Sequence, residues 1–272
     1  MIVIPIIGGA GNQLFQIAFA KKIQSSGIDV SVTYSILNNK LLSKLLNWTM
    51  HPNARTDVLC NEINIKIGKL TFTNYLSLVW LYFIKRCRVK TRFDLDFNTV
   101  LKKHRSAKKV VIPGYFQTVQ HLSYQDISYV AKKYKDLICN SHKHANFISA
   151  HVRRGDFKDD SSISADSYKN IFLKEKMRSV AFFSNDLSYV SKHFSRFGKI
   201  DLISNPSLFN DFCQISNSTI IVSSNSTFSY MASCASDATQ IYFPSSISNG
   251  VLSSFPFDDR YVFYEVNFGI EI

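Results

Sequence analysis

From residue 144 onward, short apolar runs alternate with helix-length amphipathic segments, and that rhythm leaves few folds open. "NFISAHV" is followed by "SYKNIFLKEKM", "SVAFFSND" by "LSYVSKHF", and "KIDLIS" by "LFNDFCQISNS". "TIIVSS" then precedes "NSTFSYMASCAS", and "QIYFP" closes the series. Runs of four to six β-branched and aromatic residues are too continuous for a half-exposed strand, so they read as strands covered on both faces. Strands separated by helices pair in parallel, and the pattern therefore predicts a doubly wound α/β sheet.

The amino-terminal half opens the same way. "IVIPII" reads as a buried strand, "GGAGNQ" as a turn, and "LFQIAFAKKIQSSG" as a helix stopped at Gly27, before the alternating "IDVSVTY". Residues 35 to about 105 mix leucine-rich patterns such as "ILNNKLLSKLLNW" with polar connectors and carry no recognisable chemistry. "KKVVIPGYFQ" is a strand entering a Pro-Gly turn, and "LSYQDISYVAKKYKDLI" an amphipathic helix with Ile127, Val130 and Ala131 on one stripe. Two α/β halves joining near residue 140 are expected within the 272 residues.

Composition narrows the partners. Lys and Arg exceed Asp and Glu by 32 to 20, giving a net charge of +12, which suits an anionic partner: nucleic acid, an acidic membrane surface or a phosphorylated substrate. The five cysteines are scattered without a C-x-x-C spacing, so neither a disulfide framework nor a zinc site is expected and a reducing compartment is favoured. "MIVIPIIGGAGNQ" has no basic n-region and does not resemble a signal peptide. "YLSLVWLYFI" is too short to cross a bilayer. With Lys85, Arg86, Arg88 and Lys90 after it, the segment Tyr75–Lys90 fits a core helix with a solvated basic end, and it also fits peripheral contact with an anionic membrane. A cytoplasmic protein, at or near the inner face of the cytoplasmic membrane, is expected.

Chemistry-bearing residues gather where strands end. "HVRRGDF" places His151, Arg153, Arg154 and Asp156 after a strand, where open α/β sheets bind ligands. Adjacent arginines offer planar, permanently charged forks that match phosphate, and an ion pair with Asp156 is the structural alternative. On a continuing strand the two would face opposite ways, unless the backbone turns after Val152. In "GGAGNQ", Gly9 and Gly11 permit close backbone approach to a ligand, and Asn12 and Gln13 could donate to phosphate or sugar oxygens or cap the helix. The third glycine of the dinucleotide fingerprint is missing, and no acidic residue ends the second strand at Tyr34.

Asp186, at the end of "FFSND", could accept from a purine or a ribose hydroxyl, or cap the next helix. "SSNSTFS" contributes Ser224, Asn225, Ser226 and Thr227 at a helix start, a density of hydroxyl and amide groups that suits a diphosphate. His142, His144 and His151 lack a third ligand at a known spacing, so no metal is expected there. "DLD", at Asp94–Asp96, has a form used to hold Mn²⁺ on a nucleotide diphosphate but is short enough to arise by chance.

Taken in order, "GGAGNQLFQIAFA", "IPGYFQ", "HVRRGDF", "FFSND" and "SNSTFSYMAS" resemble the α-1,2-fucosyltransferases of glycosyltransferase family eleven, especially bacterial ones that build surface polysaccharide of the O-antigen kind. The resemblance spans nearly the whole chain. It implies a GT-B-like architecture of two Rossmann-like α/β domains facing a central cleft, with an acceptor-side domain at 1–140 and a GDP-sugar domain at 141–272. It implies an inverting, metal-independent transfer of L-fucose from GDP-β-L-fucose to the 2-hydroxyl of a galactoside or lipid-linked oligosaccharide, with no nucleic-acid partner. Arg153 and Arg154 match the pair that holds the donor diphosphate, and His151 and Asp156 the fixed ends of that motif. Related fucosyltransferases imply guanine contacts for His151 and Asp186, and Ser224–Thr227 match a second phosphate-side segment. Gly9, Gly11, Asn12 and Gln13 fall in the family's amino-terminal motif. The chain departs in its short middle and in "SYMAS", where a tryptophan pair is common. For the acceptor proton Asp156 and His151 are the candidates. The rivals are a transferase using another sugar nucleotide, a metal-dependent GT-A enzyme relying on Asp94 and Asp96, and a basic nucleic-acid-binding protein.

Overall fold

The structure is a computed structural model and describes residues 1–35, 54–69, 98, 110–139, 145–154, 162–197, 201–202, 207–245 and 255–268. Asp156, the Tyr75–Lys90 segment, Asp94–Asp96, His142 and His144 lie outside the described residues. The chain divides into two compact units, Met1–Val130 and Ala131–Ile272.

In the first unit, strands β1 (Ile2–Pro5), β2 (Val30–Thr33), β3 (Lys66–Ile67) and β4 (Val110–Val111) form a parallel sheet in the order β3-β2-β1-β4. Helix α1 (Ala10–Ser25) follows β1 directly, and helix α2 (Thr56–Glu62) precedes β3. Ile2, Ile4, Leu14, Phe15, Ile17 and Phe19 are fully buried, which accounts for the apolar runs at both elements. Helix α1 begins four residues earlier than the apolar run from Leu14 suggests, so Gly11, Asn12 and Gln13 occupy its first turn. Gly27 adopts a left-handed φ of 78° just past its end, the conformation glycine supplies at helix stops.

Helix α3 (Tyr124–Ile138) carries the boundary between the units. Its second half is fastened inside the second unit. Tyr134 packs edge-on against Phe212 at 5.0 Å, and buried Lys135 donates through Nζ to Ser216 O at 3.0 Å. Cys139, just beyond the helix, is disulfide-bonded to Cys213. This corrects the expectation drawn from cysteine spacing. Spacing rules detect local pairs, whereas these two are 74 residues apart and meet only because the fold sets their Cα atoms 5.6 Å from each other.

The second unit holds six parallel strands in the order β10-β9-β8-β5-β6-β7. They are β5 (Ala145–Val152), β6 (Val180–Ser184), β7 (Asp201–Leu202), β8 (Ser218–Val222), β9 (Gln240–Pro244) and β10 (Tyr261–Tyr264). Helices α4 (Ala165–Lys174), α5 (Leu187–Phe194), α6 (Leu208–Asn217) and α7 (Thr227–Cys234) alternate with them. Aromatic residues fill one core cluster: Tyr168 and Phe172 from α4, Phe182 from β6 and Phe194 from α5 pack with centroids 4.9–6.0 Å apart. Two α/β units, each built on a parallel sheet, are thus present, as the alternation of elements implies.

Strand order locates the functional edge. From β5 the chain builds outward through β6 to β7, then returns to start β8 on the other side of β5 and builds outward again to β10. The direction of winding therefore reverses between β5 and β8. Helices that follow two such strands leave toward opposite faces, which opens a crevice at the strands' carboxyl ends. In the first unit the corresponding reversal lies between β1 and β4.

Candidate functional site

At the β5/β8 reversal, β5 delivers His151 and then leaves the ladder after Val152, whose register partner is Ser184. Arg153 and Arg154, the next two residues, are both half-buried. Arg153 acts electrostatically on His151, while Arg154 acts on Asp186 and Tyr168.

Three side chains stitch this edge across neighbouring strands. His151 Nδ1 and Ser224 Oγ, from β5 and the loop after β8, are hydrogen-bonded at 2.7 Å. Ser184 Oγ donates to Val152 O at 2.7 Å. The Asn185 side chain engages the Arg154 main chain twice: Arg154 N donates to Oδ1 at 2.8 Å, and Nδ2 donates to Arg154 O at 2.7 Å. The Arg154 guanidinium carbon lies 4.1 Å from the centroid of the Tyr189 ring. Beneath the edge, buried Tyr168 donates to His151 O at 3.2 Å, and buried Tyr264 to Ser223 O at 2.8 Å. Burial raises both phenols well above the ordinary tyrosine range, so both remain donors.

His151 is buried, and burial together with the Arg153 charge pushes its imidazole down to about 3. It is therefore neutral at physiological pH, with Nδ1 occupied by Ser224. Asp186 caps α5, accepting from Tyr189 N at 3.0 Å and from Ser188 Oγ at 2.7 Å. Ser188 and the Tyr189 amide, with a smaller contribution from Arg154, hold its carboxyl below the usual carboxylate range.

The serine-rich loop is woven into itself more than its composition suggests. Ser223 Oγ donates to Ser229 Oγ at 2.8 Å, and Ser226 caps α7 by accepting from Phe228 N at 3.2 Å. Ser224 is taken by His151, and Asn225 is buried, while Thr227 is half-buried. Hydroxyl density here serves first to shape a loop that ends in a helix N-terminus, whose first N–H groups and dipole favour an anion.

In the first unit, Gly8 takes a left-handed φ of 82°, and a Cβ there would sit 2.8 Å from Asn12 Nδ2 and 3.3 Å from the Tyr115 ring. Gln13 is 1% exposed, donates to Gly8 O at 3.0 Å and accepts from Thr56 Oγ1 at 2.6 Å. It clamps the turn from within. Gln16, fully buried, accepts from Ile7 N and donates to Gly114 O, both at 2.9 Å, so it ties this turn to the Pro-Gly turn after β4. Asn12 remains half-exposed beside Gly9, with its Oδ1 accepting from Gln117 at 2.7 Å. Gly11 is buried in the first turn of α1.

The structure thus brings His151, Arg153, Arg154, Asp186 and Ser224–Thr227 to one edge of one sheet. Gly9, Gly11, Asn12 and Gln13 lie in the other unit. Sequence reasoning missed Tyr168, Tyr189 and Tyr264 and gave Asn185 no role. Only Tyr189 left a trace, three residues past the cap Asp186, where a first-turn side chain turns back toward the strand end. Among the described residues no group of three or more His, Cys, Asp or Glu is placed to hold a metal ion. No helix among them is long and apolar enough to cross a membrane.

Comparison with known proteins bears on this edge. The model of glycosyl transferase family 11 matches residues 112–249, a range that contains the arginine motif, Asp186 and the serine-rich loop. An α-1,2-colitosyltransferase of Escherichia coli is 25% identical over 267 residues, covering 85% of this chain and 86% of the relative. Among solved structures, the E. coli heptosyltransferase WaaC with ADP covers 97% of this chain and 92% of its own, at 9% identity and a TM-score of 0.48. The fucosyltransferase NodZ from Bradyrhizobium covers 88% of this chain and 93% of its own, at 12% identity and a TM-score of 0.48.

Proposed function

The chain belongs to glycosyl transferase family 11, and on that premise we propose that it moves L-fucose from GDP-β-L-fucose to the 2-hydroxyl of a β-galactoside, with inversion at the anomeric carbon. Glycosyl transfer from a sugar nucleotide is the activity of the family. The donor, the linkage and a role in O-antigen-like surface polysaccharide are the reading argued here. The observation that carries it is the pair Arg153 and Arg154, placed directly after β5 ends at Val152. As the C1–O bond stretches toward an oxocarbenium-like state, negative charge gathers on the departing β-phosphate. Two fixed guanidiniums beside a helix N-terminus would stabilise that charge without a divalent ion, and one such donor is commonly worth about 10²–10³ in rate.

His151, neutral and held by Ser224, suits a hydrogen bond to the nucleotide. Asp186, ionised while capping α5, suits acceptance from guanine N–H groups. The acceptor is a galactoside or a lipid-linked oligosaccharide, met in the cytoplasm at the inner face of the membrane. Asp156 and His151 are the candidates for acceptor of the hydroxyl proton. A second reading, a colitosyl donor, is favoured by the colitosyltransferase relative.

The test is nucleoside diphosphate release, with EDTA present, from a panel of sugar nucleotides that includes the fucose and colitose donors, each offered with galactosides and lipid-linked oligosaccharides. Release from GDP-fucose with a galactoside supports the first reading, and release from the colitose donor alone supports the second. Activity abolished by EDTA and restored by Mn²⁺ would overturn the metal-independent mechanism.

A further inference from the structure

We propose that Asn185 and Tyr189 are positioning residues that fix Arg154 before any ligand arrives, one acting on its main chain and the other on its guanidinium. This rests on Arg154 being an anion-facing group of the proposed transferase. The problem they solve is physical. An arginine side chain is rich in rotamer entropy, and a donor must already be aimed when transition-state charge develops if it is to stabilise that charge without reorganisation.

The β5–β6 ladder ends at the pair Val152 and Ser184, so Arg154 lies beyond it. The Asn185 carboxamide adds one further rung. It accepts from Arg154 N at 2.8 Å and donates to Arg154 O at 2.7 Å, as a peptide unit of a neighbouring strand would. Tyr189 then receives the guanidinium 4.1 Å from its ring centroid. A cation–π contact uses the face of the guanidinium, whereas bidentate recognition of an oxyanion uses its in-plane N–H edge. One contact therefore orients the group for the other. Tyr189 is itself placed by two neighbours. Asp186 Oδ1 accepts from its N–H at 3.0 Å, and the His193 ring lies 4.3 Å from its own. The cap of α5 thus acts through Tyr189 on Arg154.

The probe is inorganic pyrophosphate, followed by the Arg154 Nε–H resonance assigned through its loss in Arg154→Lys. In the wild-type protein that resonance is displaced by the Tyr189 ring current and moves on titration. Tyr189→Leu returns it to the ordinary arginine range and weakens pyrophosphate binding about tenfold. Tyr189→Phe, which keeps the ring, restores both. Asn185→Asp keeps the acceptor but loses the donor to Arg154 O, and it broadens the resonance and weakens binding.

With a sugar nucleotide that turns over, kcat falls with binding in Tyr189→Leu and recovers in Tyr189→Phe. A Tyr189→Leu protein that binds pyrophosphate like wild type, or a Tyr189→Phe protein as weak as Tyr189→Leu, overturns the proposal. If the resonance and binding behave as stated while no sugar nucleotide is consumed, the positioning role stands and the fucosyl-transfer reading fails.

Discussion

Reduction of the Cys139–Cys213 bond should cost the second unit a large part of its stability. With 74 residues between the cysteines, the chain-entropy relation gives a loss of about 15 cal/mol/K, or about 4 kcal/mol at 25 °C. A unit of roughly 140 residues unfolds with about 0.3 kcal/mol/K of entropy, so the midpoint should fall by about 10–15 °C. The loss is an upper bound. Lys135 on Ser216 O and Tyr134 on Phe212 still hold α3 to α6 after the bond opens.

The assay is thermal unfolding of air-oxidised protein with and without a phosphine reductant, beside the Cys213→Ala variant, in which reductant should have no effect. A thiol count in denaturant supplies the control. Of the five cysteines, three should react in oxidised protein and five after reduction. Five reactive thiols before reduction would show that the bond does not form. Three thiols with a midpoint indifferent to reductant would refute the entropy argument. Because Phe212 also packs on Phe228 at 5.7 Å, and Phe228 lies 5.8 Å from His151, loosening α6 should weaken binding of the proposed nucleotide donor as well.

Three other outcomes are expected. Gly8→Ala puts a side chain at a left-handed φ and 2.8 Å from Asn12 Nδ2, so urea unfolding should show a loss of about 1–3 kcal/mol; an unchanged midpoint would remove the steric account. Arg154→Lys keeps the charge but loses the fork, and turnover should fall about 10²-fold in a nucleotide-release assay, whereas near wild-type turnover would take Arg154 out of its role. For pH, His151 is depressed in the fold to about 3, so the unfolded chain binds its proton first. Its contribution is intact above about pH 6.5 and is lost as pH falls toward 3, with a slope of up to about 1.4 kcal/mol per unit. Asp211 opposes it. Burial raises that carboxyl to about 6, so its contribution is present at low pH and lost as pH rises through 6. Asp211→Asn should therefore gain on wild type as pH climbs from about 4 to 6 and keep a constant lead above that, and curves that run parallel between about pH 4 and 6 would contradict the assignment.

Helix starts and strand cores were legible because they depend on neighbours in sequence. Although α1 starts four residues before the apolar run at Leu14, the Gly27 stop, the starts of α5 at Leu187 and α6 at Leu208 and the alternation of elements follow from local sterics and apolar periodicity. So did the site's address, since "HVRRGDF" after an apolar run can only emerge at a strand's carboxyl end. Individual roles were less legible. Gln13 and Ser226 carry the same donors whether they face a ligand or the backbone. Only burial decides, and it places Gln13 on Gly8 O and Ser226 on Phe228 N. Nothing near Tyr264 marks it as a support for Ser223, 41 residues earlier.

The order of apolar runs, the glycine turn and the paired arginines determined an α/β chain with an anion-seeking strand end, because each depends on chemistry confined to a few consecutive residues. Tertiary structure alone decided that β5 and β8 meet where the winding reverses, that Asn185 and Tyr189 grip Arg154, and that Cys139 reaches Cys213. These are contacts between segments far apart in the chain, and their energy exists only once the sheet has fixed the distances between them.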